Sequence, residues 1–179
     1  CFDKGFDMTT TDALFCSLTP LRLAELVRSA RHAVCYAGPG LQLDLAQAMV
    51  EVAGRVGKEM LTVSLDFDDR VMRMGYGNVD AVKLLLDAGI AVQSSPGLRT
   101  ALVVVDNEGY IFTPTALYLE AEPTDGAAPN AVRMAGEPQA QALARLSPAA
   151  KTIAIAQAKT PEAKQRIEAL TVDVVSAPI

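Results

Sequence analysis

The chain has 179 residues, of which 50% are hydrophobic and 21% charged. That is enough apolar material for one domain with a sizeable core, or one domain and an appendage. A net charge of −5 excludes sequence-independent nucleic-acid binding over a broad basic face, which needs many lysines and arginines, but leaves room for a local basic pocket. No apolar run approaches the roughly 18 residues of a membrane helix.

Residues 1–18 read as a disordered or tag-like segment. "CFDKGFDMTTTDALF" lacks the basic start and apolar middle of a signal peptide, and Met8 is a possible native start. The cysteines, Cys1, Cys16 and Cys35, are odd in number and widely spaced. Cys35 lies in the apolar run "AVCYA" and reads as a reduced core residue, which suggests a cytoplasmic setting.

The folded part begins at "TPLRLAELVRSA", with Thr19 as N-cap, Pro20 as first helical residue and Leu23, Leu26, Val27 and Ala30 as an apolar stripe. "HAVCYAG" is a short buried strand closed by Gly38-Pro39-Gly40. Leu41, Leu45, Ala48, Met49 and Val52 then repeat at helical spacing. "EMLTVSLDF" is a strand, and "GNVDAVKLLLDAG" a helix from Asn78 to Gly89. "IAVQSS", "RTALVVVD" and "YIFTPTALYLE" are strands, the last two joined by a turn at Asn107-Glu108-Gly109. "AEPTDGAAPNAVRMAGEP" reads as a loop. Ala-rich helical sequence follows, with starts at Ser147-Pro148 and Thr160-Pro161, "TIAIA" ambiguous between strand and helix, and "LTVDVVSAPI" as a strand or departing arm. The expected architecture is α/β, a mixed β-sheet flanked by helices over 19–134, with a helical appendage over 135–179. A Rossmann-like or flavodoxin-like open sheet is the alternative.

One stretch carries a specific resemblance. In the phospholipase D-like superfamily, H-x-K-x4-D on a strand precedes a hairpin turn, followed by a Gly-Ser pair and an Asn. "LRTALVVVDNEGYIFTPTAL" fits that register, and residues from about Ala30 to Glu122 resemble one half of such an enzyme. Asp106 falls on the motif's Asp. Arg99 stands at the nucleophilic His position and Ala101 at the Lys position. Thr113-Pro114 replaces the Gly-Ser pair, and Ala116 the Asn. Arginine stays protonated and has no lone pair for attack, and Ala101 cannot hold a phosphate. The resemblance therefore implies an inactive phospholipase D-like module acting in binding or dimeric assembly. It also implies a homodimer, because the family's groove lies between two halves. Many bacterial relatives act on DNA, so the implied ligand is a phosphate-containing molecule or nucleic acid. No cofactor or metal is expected.

Arg99 can grip an anion through its forked N–H groups, with Arg70, Arg73 and Tyr76 as candidate companions. The competing reading pairs these arginines with Asp66, Asp68, Asp69 or Asp106. "VSLDFDDRV" raises an alternative phosphoesterase, since a strand ending in D-x-D is how Asp-based, Mg-dependent phosphatases of the haloacid-dehalogenase type begin. Asp66 and Asp68 would fill those roles, but Arg70 departs from the pattern. The glycines of "AGPGLQL" precede a helix start and read as a turn rather than a phosphate cradle. His32 reads as structural or solvated.

Overall fold

The computed structural model describes residues 13–116 and 129–179. An eight-stranded mixed sheet runs in the order β1-β7-β6-β5-β2-β3-β4-β8. Its strands are β1 (Phe15–Cys16), β2 (Val34–Gly38), β3 (Leu61–Leu65), β4 (Val92–Ser94), β5 (Ala101–Val105), β6 (Glu108–Phe112), β7 (Ala131–Met134) and β8 (Ala177–Pro178). β2, β3 and β4 are parallel, and every other pairing is antiparallel. Helices α1 (Pro20–Arg28), α2 (Leu43–Val56) and α4 (Val79–Asp87) cover one face. Helices α5 (Gly136–Leu146), α6 (Pro148–Gln157) and α7 (Pro161–Glu168) serve the other, and the short α3 (Asp69–Met74) follows β3. The fold is thus an α/β mixed sheet flanked by helices.

The caps act where the sequence places them. Thr19, Asn78, Ser147 and Thr160 each accept a hydrogen bond from a first-turn N–H of the helix they open, satisfying donors that have no partner within the helix. Strand alternation splits the core in two. Val34, Tyr36, Val103 and Val105 join the first core with Leu26, Met49 and Leu85. Cys35, Ala37, Leu102 and Val104 join the second with Leu143, Ala144 and Ala154. In β3, Leu61, Val63 and Leu65 enter the first core, so Thr62 and Ser64 face the other way.

Several boundaries differ from the sequence reading. Residues 13–18 include β1, which pairs with β7, so ordered structure starts before Thr19; the rest of the N-terminal segment lies outside the described residues. β7 arises within the expected loop. The hairpin turn is Asp106-Asn107, because Val105 pairs with Glu108. "TIAIA" is helical within α6. Residues 135–179 form the second helical layer rather than an appendage, and the final arm turns back to pair β8 with β4. The continuation of β6 through residues 117–122 lies outside the described residues.

Cys35 is a free, buried thiol, and burial pushes its pKa up to about 11. Native Cys35 is expected to react with a disulfide reagent at neutral pH about 100-fold or more slowly than in the denatured chain. Time-resolved thiol titration with and without urea checks this. Because the native pKa lies above the unfolded one, the thiol's contribution to stability is full below about pH 9 and is lost as pH climbs toward 11.

Candidate functional site

Open α/β sheets bind ligands outside the carboxyl ends of their parallel strands, where the strand order reverses. Here that place is the end of β2, with parallel β3 on one side and antiparallel β5 on the other. Asp66 directly follows β3, and its N–H donates to the Gly38 carbonyl at 3.1 Å, extending the ladder. Arg99 lies two residues before β5. The two side chains form an ion pair. The Asp66 side chain is 5% exposed and that of Arg99 47%, so a buried carboxylate is neutralised by a guanidinium that also faces solvent.

Asp68 and Arg70 adjoin this pair. The Asp68 carboxylate caps α3 by accepting from the Arg70 N–H at 2.7 Å, and it pairs with the Arg70 guanidinium at 3.3 Å. The backbone bond from Arg70, then the side-chain bond, hold the Asp68 carboxyl below its usual range, and Arg99 adds a weaker attraction. Two acids and two arginines therefore alternate and cancel.

A groove of about 430 Å³ opens beside the pair, lined by Pro39, Tyr76, Arg99, Thr100, Thr113 and Pro114 among others. It shares Tyr76, Phe112, Pro114 and Asn130 with a slot of about 200 Å³ that reaches Leu23, Tyr36, Leu41 and Leu45. Of the residues singled out in the sequence, the fold thus gathers Arg99, Tyr76 and Thr113 along one groove. Arg70 is engaged with Asp68. Arg73 is exposed on α3, with no ion pair among the described residues.

Asp106 serves at the other end of the sheet. Its carboxylate accepts backbone N–H groups from Arg31 (3.0 Å), His32 (2.8 Å) and Ala33 (3.1 Å). It does so from a left-handed backbone, φ 54°, which Asp tolerates better than most residues. Asp106 is therefore a clamp between the hairpin turn and the start of β2. His32, the single histidine in the chain, is exposed at that same far end, remote from Arg99.

Two supports escaped the sequence reading. Asn130 accepts from the Leu18 N–H (2.7 Å) and donates to the Leu18 and Thr113 carbonyls (3.1 and 3.0 Å), tying three segments at the groove's rim. Its position after Pro129, in a stretch read as loop, was the available signal. Gly40 and Gly77 meet backbone to backbone: a Cβ at Gly77 would stand 2.8 Å from the Leu41 nitrogen. The "AGPGLQL" glycines thus serve a close chain crossing as well as a turn.

This geometry defines an α/β-sheet protein with a charge-balanced cleft at the ends of its parallel strands. No protein-family model matches the chain, and no curated protein matches it significantly. Among solved structures it is similar to a phospholipase D family member, Nuc from Salmonella typhimurium. The two share 15% identity with a TM-score of 0.47, over 66% of this chain and 76% of that one. No helix among the described residues is long and apolar enough to cross a membrane.

Proposed function

We propose that the chain is a non-catalytic, phospholipase D-like binding and assembly module, whose groove at Arg99 receives an anionic group, such as that of a phosphate-containing ligand or nucleic acid. The observation that carries this reading is the Arg99–Asp66 pair at the end of β2. It puts a half-exposed guanidinium where an α/β sheet presents its chemistry and, among the described residues, no nucleophile with a base beside it. The lone imidazole stands at the opposite end. The Asp66 carboxylate, which a phosphatase would use for attack, is bound to Arg99, and Asp68 is bound to Arg70. Anion binding then requires Arg99 to exchange Asp66 for the ligand.

The same module is proposed to form a homodimer. Ile111, Val132 and Phe15 lie in one row across β6, β7 and β1. Ile111 and Phe15 are 41% and 66% exposed, and the row continues into the Arg99 groove, which Ile111 and Val132 also line. The cytoplasmic expectation rests on the reduced Cys35.

Titration with inorganic pyrophosphate and a short single-stranded oligonucleotide tests the binding reading. Asp66→Asn, which releases Arg99, is expected to tighten binding several-fold, and Arg99→Gln to abolish it in protein shown to be folded. Binding indifferent to both changes removes Arg99 from the proposal. Turnover of bis(p-nitrophenyl) phosphate or p-nitrophenyl phosphate, with or without Mg²⁺, overturns the non-catalytic reading. Loss of that turnover in Asp66→Asn would establish the phosphatase instead. Light scattering on wild type and Ile111→Glu tests the dimer, which the variant is expected to dissociate; a monomeric wild type overturns it.

A further inference from the structure

β3 and β4 pair in parallel, with Ser64 beside Gln93 and Leu65 beside Ser94. The ladder runs one residue further. The Ser95 N–H donates to the Leu65 carbonyl at 2.6 Å, which sets Ser95 next to Asp66. Neighbouring strands lie about 4.8 Å apart, and residues side by side on them face the same way. The Asp66 and Ser95 side chains therefore share one face at the carboxyl end of the sheet.

Ser95 also opens the turn that delivers Arg99. The Leu98 N–H donates to the Ser95 carbonyl at 3.1 Å, across Pro96 and Gly97. Proline followed by glycine, with Gly97 at φ 81°, suits a type II turn. Pro96 holds Ser95 in extended backbone. One short turn thus brings two donors, the Ser95 hydroxyl and the Arg99 guanidinium, into the neighbourhood of one carboxylate.

Of the two, Arg99 is the one engaged, through its ion pair with Asp66. Ser95 is 0% exposed, and its hydroxyl has no hydrogen-bond partner among the described residues. Buried hydroxyls are nearly always satisfied, and one left alone costs stability. With no exposed surface Ser95 meets no ligand and is no nucleophile. The charged acceptor beside it is Asp66, and a serine hydroxyl changes partner by rotating.

Exchange at Arg99 supplies the occasion. A ligand anion that takes the guanidinium leaves the Asp66 carboxylate, 5% exposed, buried without its cation. Such a stripped charge is strongly unfavourable, and a hydrogen bond to its charged form offsets part of the cost. We propose, on the reading that Arg99 releases Asp66 to bind an anion, that Ser95 is a positioning residue for this step. Its hydroxyl donates to Asp66 as Arg99 turns to the ligand, so the idle donor of the free protein is the reserved partner of the bound one.

Calorimetric titration with pyrophosphate tests this on four whole-chain proteins: wild type, Ser95→Ala, Asp66→Asn and the double variant. Ser95→Ala is expected to weaken binding about 10-fold, the effect of one hydrogen bond to a charged group. In Asp66→Asn, where no carboxylate is left behind, the same change is expected to alter binding less than about 2-fold. Urea denaturation of ligand-free Ser95→Ala is expected to give a midpoint equal to or above that of wild type, because the hydroxyl removed has no bond to lose. A lower midpoint assigns Ser95 a structural bond and overturns the proposal. Unchanged binding by Ser95→Ala, or equal weakening in both backgrounds, overturns it too and leaves the Arg99 groove standing. Absence of pyrophosphate binding in wild type and Asp66→Asn alike, or binding that survives Arg99→Gln, shows instead that the Arg99 reading has failed and takes the role of Ser95 with it.

Discussion

Replacing Asp106 by alanine is expected to destabilise the protein by about 3 kcal/mol, because charged hydrogen bonds contribute roughly 1.5–3 kcal/mol each and a left-handed alanine is strained. Three N–H donors converge on this carboxylate. Those of Arg31 and His32 lie near the surface, where water replaces part of the loss, whereas Ala33 is buried. Asp106→Asn keeps an acceptor oxygen and tolerates the backbone conformation, so it is expected to lose about half as much. Asp106→Gly relieves the backbone strain but loses every side-chain bond, and is expected to fall between the two. Urea denaturation of the three variants checks the order. Equal stability for all three would show that neither the bonds nor the conformation matters at this turn.

The second large effect is expected at the cleft. Arg99→Ala leaves the Asp66 carboxylate buried and unpartnered, which costs about 2–3 kcal/mol after discounting the several kcal/mol of a fully buried pair for the half-exposed guanidinium. Asp66→Asn costs less, since the cation left behind already reaches water. Replacing both, as Arg99→Met with Asp66→Leu, is expected to return stability to near wild type, because two apolar side chains remove the unpaired charge. A double-mutant cycle read by chemical denaturation gives the coupling. Additive losses would mean that the pair contributes nothing as a pair.

The legibility of this fold in its sequence follows the physics of each element. The helices opening at Thr19, Asn78, Ser147 and Thr160 were readable because a capping side chain and, in three cases, a following proline act within one turn of chain. β2, β3 and β5 were readable as short apolar runs between turn residues. β1 and β8 were not, since two residues carry no periodicity and become strands only through a partner distant in the chain. β7 was hidden for a related reason: its four residues follow a Pro- and Gly-rich stretch, and pairing with β6 decides their conformation. "TIAIA" is β-branched and apolar, and tertiary packing beneath α5 overrides its strand preference.

The site was legible as a set of residue types but not as an arrangement. Asp66, Arg99 and Tyr76 stood out in the sequence. That Asp66 and Arg99 neutralise each other depends on β2 lying between β3 and β5, a sheet order that no local pattern encodes. The role of Asp106 was also set by long-range geometry, since its donors lie more than seventy residues away.

The crossing of Gly40 over Gly77 bears on how such a cleft can diversify. Because main chain touches main chain there, that wall can neither accept a bulkier residue nor spread apart without separating two loops. Novelty in recognition is therefore channelled to other positions that line the groove, such as Thr100 and Thr113. Repertoires randomised at those two places should retain the fold, whereas libraries that vary the paired glycines should consist mainly of chains that do not assemble.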